Sequence, residues 1–293
     1  VSLKKDTRLL QWLELLDRRK WPGQPQFEFA LSTMQTEEES GNEEINEDVT
    51  PPIVRLRVYT EDVDVLYELL SITGLADITP DQVSDILSTV TNEEGEVTQS
   101  DFNRCVRVFV GGPISEKNEV ELVSRVLSGC FKSLDRTMTE TVPYDELIAG
   151  FSLFVDGSKS EKLAVAFQAF YLAGTGRLDR RELWRYLRAF LSSISAMCCN
   201  ARTPLSLWSI DNACVALTDR IFEDAELNDS QENDESISFE EFADWYTYTG
   251  FEYAPWLELL DLKKWFPQPQ TDLSDQAEEV DMDDAEEEED MND

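Results

Sequence analysis

The chain has 293 residues, of which 61 are acidic and 25 basic, so its formal net charge is −36. This charge argues against nucleic acid and anionic membranes as partners and favours basic proteins. The complete absence of histidine excludes Ser-His and Cys-His catalysis, histidine-ligated zinc and imidazole-based pH sensing.

The first 30 residues predict an amphipathic helix followed by the extended segment Trp21-Pro-Gly-Gln-Pro. Trp12, Leu13 and Leu16 fall on one face of this helix. A tryptophan and leucines at this spacing are the anchors that an apolar groove recognises in a docked helix. We therefore predict that these three residues and Trp21 bind a partner surface.

Two stretches of the chain are strongly acidic. Residues 37–48 contain seven acids, residues 272–293 contain thirteen, and neither stretch contains Lys or Arg. Such composition is typical of disordered segments. We expect an acidic linker over residues 31–52 and a disordered acidic tail over residues 271–293.

Between these stretches the apolar periodicity predicts an all-α fold. Thr79-Pro80 is a strong helix start, since a capping residue precedes a proline at the first helical position. Strands are expected only as short bridges between paired loops. The predicted helices cover residues 80–90, 98–110, 117–134, 143–155, 159–173, 179–197, 209–225 and 238–248.

Four of the connections fit, in part, a twelve-residue calcium-binding loop, which places oxygen ligands at positions 1, 3, 5 and 12, glycine at 6 and an apolar residue at 8. The candidate loops are residues 90–101, 135–146, 171–182 and 230–241. Gly95 and Gly176 occupy position 6 of the first and third loops, whereas Glu140 replaces this glycine in the second and Glu235 in the fourth. The apolar position 8 is filled by Val97, Val142, Leu178 and Ile237.

The ligand positions are less complete than the scaffold positions. Only loop 135–146 begins with an acid, and its candidate ligands are Asp135, Thr137, Thr139 and Glu146. In loop 230–241 the candidates are Ser230, Glu232, Asp234 and Glu241. Glu182 is predicted to cap a helix or form an ion pair. Calcium binding is therefore expected to be mostly lost, and calcium at these two loops remains an open alternative.

The segments Phe167-x-x-Phe170-x-x-x-x-x-Gly176-x-Leu178-x-x-x-Glu182-Leu183 and Ile237-Ser-Phe-Glu-Glu-Phe resemble the four-EF-hand family that includes the neuronal calcium sensors and the calcineurin regulatory subunit. The resemblance covers roughly residues 78–250. It implies two lobes, each a pair of EF-hands, with an apolar groove that grips a partner helix. The lobes would be residues 53–156 and 157–250, packed together because the connection Gly157-Ser-Lys-Ser160 is short. Calcium switching and membrane anchoring are not expected to carry over, since most first ligands are not acidic and the sequence starts Val1-Ser2-Leu3-Lys4.

The segment Trp12–Gln26 recurs as Trp256–Gln270 with eleven of fifteen positions identical. In this C-terminal copy, within residues 251–270, a helix would place Trp256, Leu257 and Leu260 on one face, and Trp265 follows as Trp21 does. Either both copies are core helices, or each docks into the groove of a lobe or of a neighbouring copy of the chain. We expect the C-terminal copy to be structural and the N-terminal copy to contact another molecule.

No motif argues for an enzyme, because Gly174-Thr-Gly176-Arg lacks the Gly-Lys-Ser/Thr ending of a phosphate loop. The expected function is a non-enzymatic adaptor or scaffold that binds protein helices. The alternatives are a calcium sensor or buffer that uses loops 135–146 and 230–241, and an acidic chaperone-like binder of basic proteins.

The five cysteines form no Cys-x-x-Cys pair, and no apolar run approaches the ~20 residues that span a bilayer. Reduced thiols and a cytoplasmic setting are expected. A cytoskeletal or ciliary location would suit such a scaffold, although no residue argues for it.

Overall fold

A computed structural model describes residues 25–31, 54–171, 176–198, 205–228 and 236–266. These residues are mostly helical, which confirms the all-α class in its coarse form. The predicted N-terminal tryptophan helix, nearly all of the acidic linker and the acidic tail lie outside the described residues. None of the described helices combines the length and the apolar character needed to cross a membrane.

A two-stranded antiparallel sheet is the first element of the described residues. Strands β1 (Phe27–Leu31) and β2 (Val54–Val58) pair from Phe27 opposite Val58 to Leu31 opposite Val54. The prediction that strands occur only between paired loops is wrong here. The sequence feature that could have predicted β2 is its alternation of apolar and polar residues, since Leu56 is buried and Arg57 is exposed, as in a strand with one buried face.

The N-terminal half contains two helix-loop-helix units after an additional first helix. Thr79 accepts the backbone N–H of Gln82, so the helix start predicted at Thr79-Pro80 is confirmed. The elements of the N-terminal half are α1 (Thr60–Thr73), a 3-10 turn (Leu75–Asp77), α2 (Pro80–Ser88), β3 (Glu96–Thr98), α3 (Gln99–Val110), α4 (Lys117–Leu134), β4 (Thr141–Pro143), α5 (Tyr144–Phe151) and a 3-10 turn (Ser152–Phe154).

The C-terminal half repeats this arrangement. Its elements are α6 (Lys159–Phe170), β5 (Arg177–Asp179), α7 (Arg180–Met197), α8 (Leu207–Asn228), β6 (Ser236–Ser238), α9 (Phe239–Trp245), a π-helical turn (Tyr246–Gly250), α10 (Phe251–Tyr253), a 3-10 helix (Pro255–Leu260) and α11 (Leu262–Trp265). The helices predicted from periodicity between residues 80 and 248 are all present, with small differences at their ends.

Short antiparallel bridges join the loops in pairs. Val97 lies opposite Val142 in the β3–β4 pair, and Leu178 lies opposite Ile237 in the β5–β6 pair. All four are buried. They are the residues that the loop template places at position 8, and the pairs they form are the short bridges expected between paired loops.

The two halves pack against each other, as the short connection between them predicts. Helices α4 and α5 of the N-terminal half contact α7 of the C-terminal half. Gly150 on α5 lies so close to α7 that a Cβ atom there would approach Oγ of Ser193 to 2.3 Å. One layer of this interface therefore requires a residue without a side chain.

Candidate functional site

The candidate site has three parts, namely the paired loops, an apolar groove and the surface that holds the C-terminal tryptophan segment. In the loops, positions 9 and 12 serve as the N-cap and the third residue of the helix that leaves each loop. Thr98, Asp179 and Ser238 accept a backbone N–H three residues ahead, as N-cap residues do. The side chains at position 9 therefore cap the helices that leave these three loops.

Glu182 and Glu241 complete this pattern from position 12. The carboxylate of Glu182 accepts the backbone N–H of Asp179 at 2.9 Å, and that of Glu241 accepts the N–H of Ser238 at 2.7 Å. Glu241 also forms an ion pair with Arg177 on the partner strand, at 3.0 Å. The prediction that Glu182 caps a helix is confirmed.

Loop 135–146 differs because its position 9 is Pro143. A proline has neither a capping side chain nor a backbone N–H, so Glu146 cannot form a capping box with it. Instead the buried carboxylate of Glu146 faces α7. Its Oε1 accepts from Nε of Arg185 at 2.8 Å, and its Oε2 accepts from Nη2 of Arg188.

The neighbouring Asp145 joins the same ion-pair cluster through Nη2 of Arg185, at 2.8 Å. Burial raises the pKa of the Asp145 carboxyl, and the charge of Arg185 partly offsets this rise. The charges of two carboxylates and two guanidinium groups thus balance in a largely buried position between the halves. Hereafter Asp145, Glu146, Arg185 and Arg188 are called the interlobe cluster.

The start of loop 135–146 keeps a geometry compatible with a calcium loop. The carboxylate of Asp135 accepts the backbone N–H groups of Thr139 at 3.1 Å and Glu140 at 2.9 Å. The hydroxyls of Thr137 and Thr139 lie 2.7 Å apart. Glu140 adopts φ 59°, which is the left-handed conformation that glycine favours at this position.

In this structure both carboxylate oxygens of Glu146 accept hydrogen bonds from arginines of α7. Among the residues that the structure describes, no three His, Cys, Asp or Glu side chains are grouped to hold a metal ion. Of the second predicted site, Glu241 pairs with Arg177, while Ser230, Glu232 and Asp234 lie outside the described residues.

An apolar groove opens between α3 and α4. Its volume is about 870 Å³. Val108 and Val120 on its walls are 60% and 45% exposed, which is unusual for valine. The family resemblance predicted an apolar groove, but the residues that line this α3/α4 groove were not predicted from the sequence. Its apolar lining includes Val106, Val110, Ile114, Val120, Val123 and Leu127.

The C-terminal tryptophan segment is part of the core, as expected. Trp256, Leu257, Leu260 and Trp265 are all buried. The segment is a 3-10 helix followed by a short α-helix, so the prediction of one amphipathic α-helix is wrong. Trp12, Leu13, Leu16 and Trp21 of the N-terminal copy lie outside the described residues.

Three side chains anchor this segment, and they are called the cradle below. Lys159 forms an ion pair with Glu258, and Lys162 donates a 2.7 Å hydrogen bond to the carbonyl of Leu260. The hydroxyl of Tyr246 donates to Oε1 of Glu258 at 3.0 Å. Burial lowers the pKa of Lys162 to about 8, and Asp261 and Asp156 partly counteract this.

No family model matches the chain. A recoverin family protein of Dictyostelium discoideum is 28% identical over 114 residues, which is 38% of this chain and 50% of the relative. The chain thus spans about half the length of this curated relative. The match shows that part of the chain is similar to a recoverin family protein, and it agrees with the paired helix-loop-helix units described above.

Proposed function

We propose that this protein is a non-enzymatic, EF-hand-like adaptor whose α3/α4 groove binds a helix of a protein partner without a calcium switch. The observation that carries the proposal is the engagement of Glu146 by Arg185 and Arg188. A calcium ion in loop 135–146 would need this carboxylate, and its withdrawal would leave Arg188 without its carboxylate partner and Arg185 with Asp145 alone.

The α3/α4 groove supports the binding role because it offers exposed apolar side chains between two helices. An amphipathic helix buries such a surface by placing residues at i, i+3, i+4 and i+7 against it. The net charge of −36 favours a partner whose polar face is basic. We therefore assign the groove to a basic amphipathic helix, in a cytoplasmic scaffold.

A calorimetric titration of the full chain with a basic amphipathic peptide, unrelated to its own tryptophan segments, tests this function. The titration is done in EDTA and in millimolar calcium, with Val120→Asp as the groove variant. Tyr248→Asp is the matched control, because Tyr248 is 85% exposed and lies outside the groove lining. We expect equal affinities in both buffers and about a tenfold or larger loss for Val120→Asp alone, since tenfold corresponds to ~1.4 kcal/mol.

A calcium sensor is the second candidate, favoured by the hydrogen bonds of Asp135 and by the recoverin family relative. It predicts that the peptide binds only when calcium is present. It also predicts a large cooperative change in the circular dichroism at micromolar calcium, abolished by Glu146→Gln or Glu241→Gln. Our proposal predicts little change in this signal even at millimolar calcium, so either result of the titration decides between the two.

A further inference from the structure

The cradle binds the C-terminal tryptophan segment through residues that the N-terminal copy also possesses. The buried side chains of the segment are Trp256, Leu257, Leu259, Leu260 and Trp265, and the ion pair to Lys159 comes from Glu258. Their counterparts in the N-terminal copy are Trp12, Leu13, Leu15, Leu16, Trp21 and Glu14, which are identical in every case.

The conformation of the segment also depends on shared residues. The indole N–H of Trp265 donates a 2.6 Å hydrogen bond to the carbonyl of Leu259, and Asp261 caps the backbone N–H of Lys263 at 3.0 Å. The N-terminal copy has Trp21 and Asp17 at these positions.

Three of the four differences between the copies fall at described positions that are not fully buried, and the fourth, Gly23 in place of Pro267, lies outside the described residues. Leu262, Lys263 and Phe266, which the N-terminal copy replaces with Arg18, Arg19 and Pro22, are exposed or only half-buried. Two surfaces that bound different targets would have no reason to share the buried set and differ only outside it. The pattern indicates one receptor surface for both copies.

The direction of the chain is compatible with docking in the same molecule. The C-terminal copy leaves the cradle at Phe266, whose ring contacts Tyr67 on α1 at 5.7 Å between centroids. The N-terminal copy would leave toward Gln26, whose N–H bonds the carbonyl of Val58 just before α1. The five residues from Trp21 to Gln26 can span up to about 17 Å, while α1 covers about 11 Å from Thr60 to Tyr67.

We propose that the Trp12–Trp21 segment of the same chain competes with Trp256–Trp265 for the cradle formed by Lys159, Lys162 and Tyr246. When the N-terminal copy occupies the cradle, the C-terminal copy and the acidic tail attached to it are released. The exchange involves no new contact chemistry, because Glu14 replaces Glu258 opposite Lys159.

Zero-length carbodiimide cross-linking of the full chain tests this exchange, because it joins Lys159 to whichever carboxylate it contacts. Mass spectrometry quantifies the Lys159–Glu258 and Lys159–Glu14 products. Glu258→Arg weakens the C-terminal copy, and arginine does not react with carbodiimide. We expect the Lys159–Glu14 product to rise about tenfold in this variant, as a loss of ~1.4 kcal/mol would produce. Adding Trp12→Ala should abolish the increase.

The exposed pair Lys117–Glu121, at 3.4 Å, gives an internal standard that should not change. If Glu258→Arg unfolds the chain, a synthetic peptide of residues 9–24 added to the wild-type protein gives the same information. It should reduce the Lys159–Glu258 product, and the Trp12→Ala peptide should not. Val120→Asp should leave this competition intact, which separates it from the α3/α4 groove.

Three results would overturn the proposal. The first is that Lys159 forms no product with Glu14 in the variant and that the peptide does not reduce the product with Glu258. The second is that Val120→Asp abolishes the effect, which would place the N-terminal copy in the groove. The third is a Lys159–Glu14 product found only between chains in a mixture of ¹⁴N and ¹⁵N protein, which would mean exchange between two molecules.

Discussion

The Nε atom of Arg185 donates a 2.8 Å hydrogen bond to Oε1 of Glu146, and this contact joins α7 of the C-terminal half to α5 of the N-terminal half. Glu146 is the residue that the calcium loop template uses as its last ligand. In this structure the residue at the last ligand position of loop 135–146 therefore connects the two halves. Pro143 explains why this carboxylate is available, because it prevents the capping box formed in two of the other loops.

Replacing Glu146 should be costly even in the absence of calcium. We expect Glu146→Gln to lower the free energy of unfolding by about 3–5 kcal/mol, because it removes the counter-charge of the buried Arg188 guanidinium and leaves Arg185 with Asp145 alone in the cluster. Urea denaturation in EDTA measures the effect. Glu241→Gln is the control, since Glu241 pairs with Arg177 with 46% of its side chain exposed, and it should cost less than about 1 kcal/mol.

Equal and small effects of these two substitutions would contradict the structural role of the interlobe cluster. If Glu146→Gln also removed a calcium-binding heat from the wild-type titration, loop 135–146 would be a metal site and the sensor alternative would be favoured.

The tryptophan copies should differ in their effect on stability. Trp256 is buried, so Trp256→Ala should cost about 3–5 kcal/mol in the free energy of unfolding. Trp12→Ala should cost much less if the N-terminal copy contacts another surface for only part of the time. Thermal and urea denaturation of both variants provides the comparison. Equal destabilisation would mean that the N-terminal copy is a permanent part of the core.

Local sequence patterns predicted the helices well, and the loop template correctly identified the residue of each loop that lies in a short bridge. Val97 and Val142 are 45 positions apart, yet both occupy position 8 of the loop template and they lie opposite each other in the structure. This works because each bridge forms between equivalent positions of two similar loops. The buried face of the C-terminal copy was also predictable from Trp256, Leu257 and Leu260.

Contacts that depend on tertiary packing were not predictable in this way. Nothing in the sequence near Glu146 indicates Arg185 and Arg188, which are about 40 residues away and reach it only after α5 packs on α7. Strands β1 and β2 were missed because the pairing segments are separated by the acidic stretch. The 3-10 conformation of Pro255–Leu260 was missed because its spacing of apolar residues also suits an α-helix.

The acidic tail should be dispensable for folding. Residues 271–293 offer only Leu273, Val280 and a few Ala and Met to an apolar core. A chain that ends at Gln270 should keep a nearly unchanged melting temperature and bind basic proteins more weakly at low salt. Calorimetry and a salt series measure both quantities. Unfolding of the truncated chain would show that the tail is packed.

The buried amine of Lys162 should make stability depend on pH in the alkaline range. Its pKa is about 8 in the folded chain against 10.5 when unfolded, because burial penalises the ammonium form. Between these values the unfolded chain binds a proton that the folded chain has released, so this contribution increases stability as pH rises from about 8 to about 10.5. The total gain is on the order of 3 kcal/mol, at 1.36 kcal/mol for each pKa unit.

Buried thiols act in the opposite direction above about pH 9. Burial raises the pKa of Cys130 to about 12 and also raises that of Cys214, so the unfolded chain loses these protons first. Comparing the wild type with Lys162→Met at each pH cancels the thiol contributions. We expect the wild type to gain free energy of unfolding relative to the variant between about pH 8 and pH 10. A difference that stays constant with pH would mean that Lys162 keeps an ordinary pKa while it donates to the carbonyl of Leu260.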